Sequence, residues 1–170
     1  MLLEKPHIVY NISLNKSIEI RQATLEDIPE ITSLFRNTIT HINKKHYSEN
    51  QIIAWASGAN DTEEWEKRIM KLYFIVAEIK TNVVGFAYLK NGNYLDGLFV
   101  HKDYQRQGIG SKLLRIIESQ VMMNDFEVLK SDVSKTALPF FDNKYFEVLK
   151  KQKKIVKGVG FENYLVEKQF

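Results

Sequence analysis

The stretch Gln105-Arg106-Gln107-Gly108-Ile109-Gly110 decides how this chain is read. Before it lies an apolar, strand-like segment, Leu98-Phe99-Val100. After it Ile109, Leu113, Ile117 and Val121 recur every four residues, the period of one buried helix face. Strand, glycine turn and helix in that order suit an anion. Glycines two apart let the main chain come close to a phosphate, and a helix start directs unpaired N–H groups and its positive dipole end at the charge. A plain strand-to-helix turn is the competing reading.

Working outward, the upstream chain divides into clear elements. Ile18-Glu19-Ile20-Arg21 reads as a first strand, and Asp27 as the N-cap of a helix with Pro29 in its first turn and Ile28, Ile31, Phe35 and Ile39 inward. Ser48-Glu49-Asn50-Gln51 has capping-box form and starts a short helix through Ile52, Ile53 and Trp55. Asp61-Thr62-Glu63-Glu64 gives a similar signal ahead of Trp65, Ile69 and Met70. Strands over 72–79 and 83–89 meet around Thr81-Asn82, and the hairpin signal Asn91-Gly92 leads into a strand over 94–100. These three strands form an antiparallel meander.

Downstream, 128–133 reads as a strand and 136–144 as a short helix. A closing hairpin of 146–156 and 161–167 turns at Lys157-Gly158-Val159-Gly160. The order is that of one α/β (α+β) domain with a mixed sheet flanked by helices. It occupies residues 18–170, with 1–17 as an N-terminal extension.

Composition sets the class. The chain has 170 residues, 44% of them hydrophobic and 26% charged, as expected for a soluble globular domain with a real core. It has no apolar run near the roughly 20 residues of a membrane span and no basic-then-apolar leader, so a cytoplasmic location is expected. The absence of cysteine excludes disulfides, thiol nucleophiles and thiolate metal sites. Of the net charge of +3, the segment 144–157 carries an excess, with six lysines against Glu147. That run reads as a solvated strand face, with an anionic ligand or nucleic acid as alternatives; no nucleic-acid motif accompanies it. His41 and His46 share no helical face, and no carboxylate stands at ligand spacing, so no metal is expected.

With the glycine turn placed after a meander, the chain resembles the GNAT superfamily of N-acetyltransferases. Glu19 to Thr24 followed by Asp27-Ile28 is similar to the family's first strand and helix entry, and Phe99 to Tyr104 to its approach to the pyrophosphate loop. Val133-Ser134 with Ala137 and Phe140-Phe141 resembles its last helix, and Tyr164 to Lys168 its final strand. Lys45 to Ser48 with Gln51, Ala54 and Trp55 resembles a segment of a mostly bacterial subgroup, where it helps form the acceptor pocket. Trp55 reads first as core and second as pocket wall, whereas Tyr47 reads equally as either.

The resemblance implies a sheet splayed at the fourth strand, acetyl-CoA as donor and an amine acceptor, with no metal, no membrane and a homodimer as an option. It places the donor's pantetheine arm along the backbone of Leu98, Phe99 and Val100, where the Leu98 amide would polarise the thioester carbonyl. Within Gln105 to Gly110, with Ile109 included, the amides of Gln107, Gly108, Gly110 and Ser111 would hold the pyrophosphate, with Arg106 and Lys112 nearby or merely solvated. Two positions depart from the family. Phe141 stands where a tyrosine often protonates the departing thiolate, and Ser134 stands where many relatives have asparagine on the pantetheine arm. A binding or sensing module without turnover is therefore the alternative function.

For the general base, Asp96 leads, because alternation gives it the face of Leu98; the competing reading is a bulge beside Gly97. Glu78 is a second candidate. Tyr145, Tyr47 and Tyr94 are candidates for the acid, alongside water, and His101 stands at the loop entrance.

Overall fold

Three tight turns, each with two successive residues of positive φ, lay out the sheet in the computed structural model, which describes residues 17–170. They are Lys80-Thr81 (φ 51° and 72°), Asn91-Gly92 (54° and 82°) and Lys157-Gly158 (49° and 78°). Backbone twist of this sense matches the twist of paired strands, so each turn fixes a hairpin and its register. The elements run β1 Glu19–Gln22, α1 Ile28–His41, α2 Glu49–Ala56, α3 Thr62–Lys71, β2 Tyr73–Ile79, β3 Asn82–Lys90, β4 Tyr94–Val100, α4 Ile109–Met123, β5 Val128–Ser134, α5 Leu138–Asp142, β6 Glu147–Val156 and β7 Val159–Gln169. The expected extension, 1–17, lies outside the described residues but for Ser17.

The seven strands form one mixed, mostly antiparallel sheet in the order β1-β2-β3-β4-β5-β7-β6. Its single parallel pairing, β4 with β5, holds only at Tyr94↔Lys130 and Leu95↔Ser131. Beyond Leu95 the two strands part, while β4 stays paired to β3 as far as Val100. That is the expected splay.

Each face of the sheet buries its own core. On one side Ile109, Leu113, Ile117 and Val121 of α4 pack on Ile75, Ala87, Leu89, Leu95 and Leu129. On the other, α1 to α3 cover Phe74, Val76, Phe86 and Tyr88, with Trp65 wholly buried among them. Burying a leucine or phenylalanine contributes about 1.5–3 kcal/mol, so both layers are needed to hold the sheet.

Capping follows the sequence at two helices and departs at one. Ser48 and Gln51 complete their box, with Gln51 N–H on Ser48 Oγ (3.2 Å) and Ser48 N–H on Gln51 Oε1 (2.9 Å). Asp61 Oδ1 accepts the Glu64 amide at 3.2 Å. Asp27 does not cap α1 with its side chain. Its carboxylate reaches back to the Thr24 amide (2.7 Å) and takes Arg21 in two bonds of 2.7 and 2.8 Å. Arg21 also donates to Glu78 at 2.5 Å. The Arg21 guanidinium holds the buried Asp27 carboxyl below the usual carboxylate range, against the opposing push of desolvation.

One register shift bears on chemistry. Leu89 faces Leu95 and Tyr88 faces Gly97, so Asp96 is the extra residue of a β-bulge. Alternation therefore breaks at Asp96. Leu98 packs toward the α4 core, whereas the Asp96 charge acts on the phenols of Tyr88 and Tyr94. The expectation that Asp96 shares the face of Leu98 is corrected: the bulge turns the carboxylate to the α1–α3 face.

Candidate active site

The end of β4 is held by contacts that leave one side of its backbone open. His101 N–H bonds Val84 O at 2.9 Å across the β3 ladder, so His101, Phe99 and Gly97 point their amides at β3. Amides alternate along a strand, which directs those of Leu98 and Val100 to the side where β5 has departed. The Val100 carbonyl, on that side, accepts Thr38 Oγ1 at 2.9 Å and Gln105 Nε2 at 2.7 Å. Gln105 thus ties the turn to the strand end and has its side chain inward.

The turn itself is shaped by two left-handed residues, Arg106 (φ 61°) and Gly108 (φ 82°). A side chain at Gly108 would meet no atom within 4 Å, so glycine is required there by backbone conformation, with open room above it. The first intrahelical bond is Lys112 N–H to Gly108 O at 3.0 Å, which leaves the amides of Ile109, Gly110 and Ser111 at the mouth of the helix. The Ile109 side chain is buried in the α4 core. A Cβ on Gly110 would touch the Phe140 ring at 3.4 Å. Lys112 turns away, its Nζ on Ile18 O, whereas Arg106 is exposed at the cleft rim.

Ser134 and Phe141 close this half. The Ser134 hydroxyl accepts the Ala137 amide at 3.1 Å and also engages the Tyr47 phenol. Phe141 is 3% exposed, packed edge-on against Phe140 and Phe146. It shapes the wall and carries no titratable group.

Across the splay the same cleft continues into a second half, and the whole encloses about 1130 Å³. That exceeds the roughly 300–1,000 Å³ of a single drug-sized pocket, in keeping with two reactants. Its far wall is aromatic. Trp55 lies 5.5 Å from Tyr47, 6.1 Å from Phe161 and 6.4 Å from Phe99, and Phe35 meets Phe99 at 5.0 Å. Trp55 and Tyr47 are both half-buried here, packed on the core and lining the cleft. The Tyr47 hydroxyl accepts Lys135 N–H at 2.9 Å and donates to Glu162 O at 3.5 Å, bridging the ends of β5 and β7. Burial pushes its phenol up, partly offset by the Lys135 amide. Tyr94 is pushed up to about 12 by burial, with the Asp96 charge adding. Both phenols hold their protons at neutral pH.

The structure does not bring every candidate together. Tyr145 is 83% exposed and lines a separate small cavity with Arg115 and Lys168, outside the cleft. Its left-handed backbone (φ 66°) turns the ring outward, which removes it from any proton transfer here. Glu78 is bound to Arg21 and does not line the cleft. His101 Nδ1 accepts the Asp103 amide at 3.1 Å, and His46 Nδ1 meets Thr136 Oγ1 at 2.9 Å. Of the lysine run on β6, Lys151 pairs with Glu162 at 3.1 Å and Lys154 with Asp132. Thr38, Arg68 and Phe161 reach the cleft without a sequence signal, because helix and strand packing alone brings them there.

A family model of the acetyltransferase (GNAT) domain matches residues 43–168. The chain belongs to the GNAT acetyltransferase family. It is 34% identical over 149 residues to an uncharacterized N-acetyltransferase, YafP, of Escherichia coli K12, covering 87% of this chain and 93% of that one. A GCN5-related N-acetyltransferase structure from Rhodopseudomonas palustris superposes with a TM-score of 0.87 at 27% identity, covering 89% and 95% of the two chains. The PaiA N-acetyltransferase of Thermoplasma acidophilum, solved with coenzyme A, shares the fold at a TM-score of 0.75 and 20% identity, over 91% and 99%. In this GNAT chain no helix among the described residues is long and apolar enough to cross a membrane.

Proposed function

We propose that the protein moves an acetyl group from acetyl-CoA directly to a primary amine, the two entering from opposite faces of the sheet. The observation that carries this is the opening of the β4–β5 ladder beside the left-handed turn at Gly108. There a strand edge with the amides of Leu98 and Val100 runs straight into three helix-start amides. The residues fit the donor: an amide edge suits an arm built of amides, and Gly108 to Ser111 with Arg106 suit a pyrophosphate. Ser134, its hydroxyl shared with the Tyr47 phenol, borders the arm, and Phe141 gives it an apolar wall.

Bound acetyl-CoA supplies the thioester; the remaining requirements fall on the chain. Leu98 N–H donates to the carbonyl oxygen as it gains charge. Asp96, on the amine's face, takes the ammonium proton so that the nitrogen lone pair can attack. Tyr47 holds a phenol proton in a long 3.5 Å bond to Glu162 O and lends it to the leaving thiolate. The apolar wall of Trp55, Phe99 and Phe161 orients the amine's carbon skeleton. Much of the acceleration is positioning, worth up to about 7–11 kcal/mol for well-aligned partners.

The test is thiol release from acetyl-CoA, followed with dithionitrobenzoate across a panel of primary amines. Amine-dependent release is expected. Tight acetyl-CoA binding with no release on any amine would make the protein a binding or sensing module instead.

A further inference from the structure

Arg68 sits in the acceptor half of the cleft in an arrangement the transfer chemistry does not use. Its guanidinium lies over the Trp65 indole, 4.8 Å from the ring centroid, and 5.6 Å from that of Tyr88. Trp65 is fully buried and anchored by its Nε1–H on Gly58 O at 3.0 Å, so the platform beneath the guanidinium is rigid. The Arg68 Nε lies 3.2 Å from Glu64 Oε1, one turn away on α3. Neither terminal nitrogen makes a hydrogen bond to any described residue. A half-buried pair at this helical spacing holds only the Arg68 Nε, so Glu64 restrains Arg68 without consuming its fork. Asp61, the other acid at this edge of the cleft, is engaged by the Glu64 amide.

A guanidinium seated against two aromatic rings on the lining of the cleft, its terminal nitrogens without a hydrogen bond to a described residue, is prepared for a planar bidentate anion. The position of Asp96 adds a second constraint. Arg68 and Asp96 act on the same Tyr88 phenol with opposite sign, and the Tyr88 ring fills the space above Gly97, next to Asp96. The cation and the carboxylate thus both border Tyr88, and all three line the cleft. Resting on the amine-acceptor reading above, the geometry points to an acceptor that carries a carboxylate several bonds from its reactive amine, with Arg68 as its receptor. The ammonium end goes to Asp96 and the carboxylate end to Arg68, with the aromatic wall over the chain between them.

The test compares four linear primary amines of one length: ε-aminohexanoate, its carboxamide, hexylamine and diaminohexane. Each is measured by thiol release and by calorimetry against the coenzyme A-loaded protein. For wild type, ε-aminohexanoate is expected to exceed the carboxamide and hexylamine by about tenfold or more in kcat/KM, mostly through KM. Arg68→Met is expected to erase that preference with coenzyme A affinity retained, and Arg68→Lys to restore only part of it. Equal use of the carboxylate and the carboxamide, preference for diaminohexane, or a preference that survives Arg68→Met would each overturn the assignment. Should no amine release thiol, the transferase reading fails by itself. Calorimetry of ε-aminohexanoate on wild type and Arg68→Met then decides the receptor independently: tighter binding to wild type supports it, and equal binding overturns it.

Discussion

The two halves of the cleft are built from different materials. The donor half is made of main chain: the open edge at Leu98 and Val100, the left-handed Gly108 and the first amides of α4. The acceptor half is made of side chains from α1, α2, α3, β3, β4 and β7, among them Tyr47, Trp55, Arg68, Asp96 and Phe161. A backbone site needs a few residues in order along the chain and tolerates many side chains. A side-chain site depends on each residue and on the packing that carries it there. Substitutions should therefore separate cleanly, with donor-half changes acting on cofactor affinity and acceptor-half changes on turnover.

The largest effect is expected at Gly108. Gly108→Glu places a carboxylate where the proposed donor would set a phosphate and strains a residue at φ 82°; acetyl-CoA affinity by calorimetry should fall more than about hundredfold. A fall in stability of only about 1–2 kcal/mol should accompany it. Unchanged affinity would break the assignment of the donor half. Asp96→Asn should come next, lowering kcat by about hundredfold while acetyl-CoA affinity stays within twofold. Loss of cofactor affinity in that variant would mean that the halves are not separable at β4.

Arg21→Gln serves as a control remote from both halves. Leaving the buried Asp27 with fewer partners should cost about 2 kcal/mol at pH 7, reduced from a fully buried pair because Arg21 is partly exposed. The folded-state carboxyl is held below its ordinary value, so this stabilisation is present above the usual carboxylate range and is lost as pH falls through the lowered folded value. Denaturation from pH 7 to pH 2 should show the gap between wild type and variant narrowing in acid. The smallest effect belongs to Tyr47→Phe, with turnover down about tenfold and stability down about 1 kcal/mol. Full turnover in that variant would assign the proton to water.

The donor half was legible because its determinants are contiguous. The run Gln105 to Gly110, the Asn91-Gly92 hairpin and the four-residue period of α4 each state a local conformation that the tertiary structure keeps. Capping signals at Ser48 and Asp61 held for the same reason, being satisfied within one turn. Asp27 did not: its carboxylate had a stronger partner in Arg21, six residues back, than in its own helix. The acceptor half was legible only in part. The i,i+3 spacing on α3 sets Arg68 beside Trp65, but nothing local says that Tyr88 will meet it as well, since α3 and β3 meet only in the assembled layer. Tyr145 misled because its aromatic character is visible in sequence, whereas its left-handed backbone and outward ring are not.

The bulge at Asp96 has a consequence for how β4 can vary. Strand positions before and after it belong to different parities, even-numbered residues facing one layer upstream and the other layer downstream. The carboxylate assigned to proton removal is itself the inserted residue that changes the parity. Deleting Asp96 would therefore set Gly97 directly after Leu95 and make the ladder to Tyr88 and Leu89 regular. Leu98, Phe99 and Val100 would keep their faces and their β3 partners, while the carboxylate and the local bend of the strand would be lost. The strand can lose this position and stay in register, so what Asp96 adds to β4 is its carboxylate and the bend it gives the strand where β5 departs.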